Sequence, residues 1–261
     1  MSSKSTPSFI VEIPLHTSSK EEMVLRKRFW ATKQQYNALL REALKRLDGM
    51  RKDKAYKEAS FDYKQKETRS QVKETFKLLA KEYGFREYDL YGYCKQWNKK
   101  KGALRIGARI SQKLAKRVFD AVEKYKNKLR GRPRFKGYKG VNSIEDNSID
   151  ANLRLKEGCI HYLGISMKLL WDPKDPIHFH GMNSKHKYVR LVRRRFGAKI
   201  RYFAQIVCEG TPWVKSNNMA SDSVVRLDIG PQTIALVSPS KKKAALHVFA
   251  DQLKDHKKLH T

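Results

Sequence analysis

The chain has 261 residues, 40% of them hydrophobic, enough to bury a core in one large domain or two modest ones. Lysine and arginine number 57 against 26 acidic residues, a formal charge of +31. A compact chain with that imbalance repels itself unless a polyanion neutralises it, so nucleic acid is the expected partner and a merely solvated charged surface is disfavoured. No run has the apolar length of a membrane span, no amphipathic anchor or lipidation motif occurs, and the opening MSSKSTPSFIVEIPLH lacks the apolar segment of a signal peptide. The expectation is a soluble cytoplasmic protein, nucleoid-associated when bound to DNA. Cys94, Cys159 and Cys208 have no C-x-x-C spacing, so neither a disulfide framework nor a zinc ribbon is expected.

Ser8 to Leu15 alternates, with Phe9, Val11 and Ile13 on one face, and reads as a strand. Thr17-Ser18-Ser19 then starts a helix, because Ser18 with Glu21, or Ser19 with Glu22, has capping-box spacing. Val24, Phe29, Tyr36, Leu40, Ala43, Leu44 and Leu47 supply its buried face, and Gly49 its stop. Met50 to Lys66 is charged and weakly periodic, a loop or an exposed helix. Thr68 to Tyr83 reads as a helix ended by Gly84. A short helix near Asp89 to Asn98 follows. Ser111 to Leu129 is the most amphipathic segment, with Leu114, Val118, Val122, Tyr125 and Leu129 on one side and lysines on the other.

Past residue 130 the character changes. Cys159–Leu163, Ile165–Trp171, Tyr188–Phe196 and Lys199–Cys208 read as strands, the last two joined by a hairpin turn at Phe196-Gly197-Ala198-Lys199. Met219 to Ser223 is a polar linker. Strands flank Gly230-Pro231, and Lys241-Lys242-Lys243 leads to an apolar patch at Leu246 to Ala250. The order is α+β: one strand, a helical block, a β block, a linker and the start of a further element. A β domain with a helical domain inserted into it accounts for the lone first strand.

Candidate site residues follow from charge and aromatic spacing. In RGRPRFKGYKG, Arg132, Arg134, Lys136 and Lys139 alternate with Pro133, Phe135 and Tyr138. Guanidinium groups fork onto phosphate and aromatic faces stack on unpaired bases, so this stretch is expected to bind nucleic acid. Arg190 and Arg193-Arg194-Arg195 lie on an expected strand, with Arg193 and Arg195 on one face and Arg194 on the other. Phosphate binding is their expected role; guarding an edge strand is the alternative. Tyr88, Tyr91, Tyr93 and Trp97 suit core packing or base stacking. His178 and His180 would point the same way on a strand, but two ligands do not make a metal site. Asp228 sits within VVRLDIGPQTIALVS, an acid between two apolar runs. An Asp close before Gly is ordinary turn chemistry, whereas a carboxylate on the first strand of a nuclease sheet holds metal with several partners. After it the chain offers only Asp251 and Asp255.

The chain resembles the front part of a TnpB-type protein, the transposon-encoded RNA-guided nucleases related to type V CRISPR effectors. The resemblance is carried by the first strand leading into YNALLREAL (Tyr36 to Leu44), by ISQKLAKRVFDAVEKY, by GRPRFKGYKG and by VVRLDIGPQTIALVS, in that order. It implies an oligonucleotide-binding-like β barrel, the wedge domain, at residues 1–17 and 131–220. It implies a helical recognition domain at 18–130 and the start of an RNase H-like RuvC domain at 221–261. The ligands it implies are a guide RNA and its target DNA, read by base pairing while protein grooves hold the backbone. Asp228 becomes the first carboxylate of a Mg2+-dependent nuclease site.

The departures bear on activity. Arg226 stands where the family usually has glycine, and the later RuvC Glu and Asp and the paired-cysteine zinc ribbon are absent from this sequence. The RuvC part is expected to be truncated and inactive alone, unless a second chain or a self-dimer completes it. The alternatives are a general basic RNA-binding protein or a decayed, non-catalytic transposon remnant.

Overall fold

The computed structural model describes residues 6–63, 69–101, 106–137, 140–146, 148, 152–216, 225–230, 232–238 and 243–248. Tyr138, Lys139, the linker at 219–223, Asp251 and Asp255 lie outside them. The chain divides into two compact units, Met1–Trp213 and Val214–Thr261.

The first unit begins with β1 (Ser8–Pro14), whose alternation buries Phe9, Val11 and Ile13. Helix α1 (Ser19–Lys52) starts on a complete capping box: Ser18 Oγ accepts from the Glu21 N–H, and the Glu21 carboxylate accepts from the Ser18 N–H at 2.7 Å. Gly49 does not end it. The helix runs on to Lys52, and the Tyr83 ring occupies the space a Cβ at residue 49 would enter. Its buried face carries Leu25 rather than Val24. Helix α2 (Lys54–Asp62) resolves the ambiguous stretch in favour of a helix, capped by Asp53. Helix α3 (Arg69–Glu82) ends on Gly84 at φ +62°, with Gly84 N–H bonded to Lys81 O and Phe85 N–H to Ala80 O. That pattern is a Schellman motif, which needs a left-handed residue. Helices α4 (Glu87–Lys101) and α5 (Ala108–Lys126) complete the block.

Strands β2 (Ser143–Glu145), β3 (Leu153–Lys156), β4 (Cys159–Tyr162), β5 (Ile165–Lys168), β6 (His186–Phe196) and β7 (Lys199–Glu209) follow, with helix α6 (Pro176–Met182) before β6. One antiparallel sheet has the order β1-β7-β6-β2 and another the order β3-β4-β5. Strand β1 therefore joins the late strands, pairing Ser8 with Glu209 and Pro14 with Phe203, while the helices come between in sequence. Helices and sheets share one core in which Phe29 of α1 lies 6.0 Å from the Tyr202 ring of β7.

The expected barrel does not close among the described residues. A single bridge, Leu15 with Leu169, joins the end of β1 to the chain leaving β5. On the other side β2 stops after three residues. The buried Asp146 carboxylate takes the N–H groups of Asn152 (2.7 Å) and Leu153 (3.1 Å), so the start of β3 bonds to a side chain and not to β2. The structure is thus α+β with open antiparallel sheets.

His178 and His180 also fall elsewhere than expected. Asp175-Pro176 supplies an N-cap and a proline at the first helical turn, so IHFHG is helical. Residues two apart on a helix diverge. His178 Nδ1 accepts from the Asp172 N–H at 3.2 Å, and His180 stacks on Phe9 with centroids 5.0 Å apart.

The second unit holds a three-stranded antiparallel sheet ordered β10-β9-β8, with β8 (Arg226–Ile229), β9 (Thr233–Ser238) and β10 (Lys243–Val248). Gly230 N–H to Thr233 O, 2.8 Å, closes the first turn.

Candidate nucleic-acid interface

Arg132, Arg134, Phe135 and Lys136 lie on an irregular segment, 130–137, that has no sheet partner among the described residues. The chain leaves α5 through Lys128 at φ +57°, and Pro133 lacks a donor, so no ladder forms here. Asn37 of α1 fixes the segment instead. Its side-chain amide exchanges two hydrogen bonds with the Lys136 peptide, at 2.8 and 3.0 Å. The Lys136 ammonium then sits 5.3 Å from the centre of the Tyr36 ring. Arg132 approaches Asp48 at 3.9 Å, an exposed pair worth little. Phe135, half exposed, borders a groove with Leu44 and Gly49.

Between this segment, α1, α5 and β2 lies a cleft of about 630 Å³. The lysine-rich side of α5 forms one wall. Lys113 pairs with Glu145 at 3.1 Å, a carboxylate it shares with Arg190, and Lys116 pairs with Glu87 at 3.0 Å and Asp120 at 3.6 Å. The Tyr91 hydroxyl and Lys116 hold the Glu87 carboxyl below its usual range, against the effect of burial. Arg117, Lys124, Arg130, Arg134 and Lys136 have no carboxylate within ion-pair distance among the described residues. Burial raises the Tyr36 phenol, and Arg117 opposes that rise. The cleft is lined mainly by cations, with the buried Tyr36 beneath Lys136, a setting suited to a phosphate backbone.

The β6 arginines are engaged differently. Glu12, Gln205, Arg190 and Glu145 lie opposite one another across β1, β7, β6 and β2. Gln205 donates to Glu12 (2.8 Å), Arg190 donates to Gln205 (3.1 Å), and Arg190 pairs with Glu145 (3.3 Å). Arg194 forks onto Glu12 with both contacts under 2.8 Å. On the opposite face Arg193 lies 4.9 Å from the centre of the Phe29 ring, where burial lowers its pKa and Tyr202 opposes. Arg195, beyond the end of β2, is exposed with no ion pair among the described residues. The row of acids and amides across the sheet was not visible in the sequence, because it needs the register.

Asp228 lies on β8 in register with Ala235, which pairs in turn with Leu246, and its strand is exposed. No group of three His, Cys, Asp or Glu side chains able to hold a metal occurs among the described residues. Mg2+ in such a nuclease needs several carboxylates, a set that the described residues do not assemble around Asp228. Of the helix-α4 aromatics, Tyr91 and Tyr93 pack against the core, and Tyr88 is 80% exposed.

No family model and no curated protein matches the sequence. Among solved structures, the protein in a cryo-EM structure of a Cas12f1–sgRNA–target DNA complex is similar at 11% identity. The match covers 95% of this chain and 67% of that one, with a TM-score of 0.35. That score is too low to equate the two folds. No helix among the described residues is long and apolar enough to cross a membrane.

Proposed function

We propose that this chain binds nucleic acid, holding a phosphate backbone in the cleft between α1, α5 and the 130–137 segment. What carries this reading is the convergence of Arg117, Lys124, Arg130, Arg134 and Lys136 on one cleft whose two described carboxylates, Asp120 and Glu145, pair with Lys116 and Lys113 instead. Like charges held together this way repel, and a bound polyphosphate chain relieves the repulsion while releasing its counterions. Arg132, Phe135 and Arg195 extend the contact surface. Arg190 and Arg194 contribute by ordering the sheet, since their charges are spent on Glu145 and Glu12.

Within that class, the likeness to TnpB-type proteins supports a guide RNA and its DNA target as the ligands. Asp228 is then a catalytic carboxylate by descent, and Mg2+ binding would need acids from outside the described residues, such as those of a second chain or a self-dimer. The charge of +31 alone also suits a general RNA-binding protein or a non-catalytic remnant.

The test is to purify the chain, wash at high salt and sequence the RNA that remains. One discrete structured species is expected. A random mixture lost steeply with salt would leave only general RNA binding. Metal-dependent DNA cutting abolished by Asp228→Ala would overturn the non-catalytic assignment of this chain alone.

A further inference from the structure

A second basic cleft, of about 810 Å³, opens where the C-terminal ends of α1 and α5 meet α2. Its cations are Arg51, Lys57, Lys126, Lys128 and Arg130, and no Asp or Glu among the described residues lines it. None of these cations has a carboxylate within ion-pair distance among the described residues. Two of them are held by aromatic rings: Arg51 lies 4.7 Å from the Tyr125 centroid, and Lys126 lies 5.8 Å from that of Phe85. Burial works against the Arg51 charge, but the Tyr125 and Tyr56 phenols outweigh it. Burial lowers the Lys126 pKa, Glu123 opposes, and the neighbouring Arg51 adds to the lowering.

Cations beside helix C-termini are often there to complement the dipole. Each such end carries about half a negative charge, so the two ends here match about one of these cations. The rest remain uncompensated, and the half-buried Lys126 ammonium is poorly hydrated as well. A ligand that brings negative charge and several acceptor oxygens would relieve both costs. Arg51 and Lys126 offer pre-positioned donors; Lys57 and Lys128 are exposed and free to close on it.

We infer that the Arg51–Lys126 cleft is a phosphate-binding site distinct from the cleft beside Tyr36. Arg130 and Gly131 line both clefts, so the two sites adjoin there. The phosphate is that of a nucleic-acid strand running past Arg130 or that of a free polyphosphate; the chemistry of recognition is the same. The site does not depend on nucleic acid occupying the first cleft.

The test titrates the nucleic-acid-free chain with inorganic tripolyphosphate by calorimetry at fixed ionic strength. Two double variants are compared with the unaltered chain: Lys57→Gln with Lys128→Gln, both exposed, and Arg117→Gln with Arg134→Gln from the first cleft. The first cleft can also take a polyphosphate, so the isotherm is resolved into two sites. Losing Lys57 and Lys128 should weaken one site about tenfold or more and change the other by less than about threefold, and losing Arg117 and Arg134 should do the reverse. Adding Lys126→Gln should deepen the first loss, with circular dichroism confirming that the helices persist. A single site weakened equally by both double variants, or no saturable binding to the unaltered chain, would overturn the distinct second site. A single-stranded RNA oligonucleotide is then added to the tripolyphosphate complex. Stoichiometric displacement assigns the site to a strand phosphate; simultaneous binding assigns it to a free polyphosphate. If RNA fails to bind anywhere while the tripolyphosphate result holds, the proposed function fails and this site stands.

Discussion

The side-chain amide of Asn37 holds both backbone groups of Lys136: Oδ1 accepts from the N–H at 2.8 Å and Nδ2 donates to the carbonyl at 3.0 Å. A side chain here takes the place of a neighbouring strand. It holds an otherwise unladdered basic segment against α1 and so sets where Arg134 and Lys136 point.

Asn37→Ala should therefore loosen the segment more than the fold. Each bond is worth about 0.5–1.5 kcal/mol, and the freed peptide groups can turn to water. The expected result is a melting temperature lowered by a few degrees at most, faster tryptic cleavage after Arg134 and Lys136, and RNA affinity reduced several-fold. Asn37→Asp keeps the acceptor and loses the donor, and should fall between. Unchanged proteolysis in Asn37→Ala would mean the segment is held by something else.

Arg194 and Arg195 are neighbours with opposite tasks. Arg194 is forked onto Glu12 and lies 5.3 Å from the centre of the Phe203 ring, whereas Arg195 is exposed and unpaired among the described residues. Arg194→Ala should cost stability, about 1 kcal/mol as a part-exposed bidentate pair, with little change in RNA affinity at matched folding. Arg195→Ala should leave the melting temperature in place and weaken RNA binding, with a shallower salt dependence. Equal effects on binding from both would show that the Glu12 pair opens to ligand.

Much of this fold was legible from local chemistry. Ser18 with Glu21 marked the start of α1, Gly84 the end of α3 and Gly197 the β6–β7 hairpin, each because a backbone requirement leaves few residue choices. Gly49 misled, since a glycine inside a long, well-packed helix is tolerated where a ring such as Tyr83 needs the room. The IHFHG stretch was misread because its alternation outweighed the Asp175-Pro176 cap. Strands β2 and β3 are too short to show a period. At the site, the charge of the 130–137 segment was readable, but its clamp was not: Asn37 lies 99 residues away. The same holds for Arg190 and Arg194, whose acids, Glu145 and Glu12, come from other strands. The Arg51–Lys126 cleft gave no local signal at all, because it draws one cation each from α1, α2 and α5 and two from the turn after α5.

The cysteines should separate cleanly by reactivity. Burial pushes the Cys94 thiol up to about 12 and that of Cys208 to about 11, whereas Cys159 is half-buried on β4. The thiolate is the reactive form, so at pH 8 a thiol reagent should label one residue, Cys159, in the native chain and all three after unfolding. The pH dependence has a definite sign. Both buried thiols bind their protons more tightly when folded, so their contribution to stability is full below the unfolded value near 8.5–9. It is lost as pH rises from there through about 11 for Cys208 and about 12 for Cys94. Melting temperatures should fall across that window, and Cys94→Ala should flatten part of the fall. Rapid native labelling of Cys94 at pH 8 would contradict its burial beside α5.

Helix α6 crosses β1 at a point where no side chain fits. A Cβ at Gly181 would lie 2.2 Å from Val11 Cγ2 and 2.8 Å from Val11 Cβ. Valine is stiff about χ1, and its place in β1 is fixed by pairing with Ile206, so it cannot swing aside. The Gly181 carbonyl also has commitments, to His186 Nε2 at 3.0 Å and to the Cys208 thiol at 3.4 Å, which resist a shift of the helix. Gly181→Ala should therefore destabilise by about 1–3 kcal/mol despite alanine's better helix propensity. Val11→Ala alone should also destabilise, by leaving a cavity in the core. Together the two changes should be less harmful than their sum, because Val11→Ala removes the Cγ2 that a Cβ at residue 181 would meet most closely, leaving only the 2.8 Å contact with Cβ to be relieved by a shift. Denaturant unfolding of the four chains measures that coupling directly. A strictly additive cycle would mean that α6 moves off β1 as a unit, and that the packing of this helix is not what fixes the edge of the sheet.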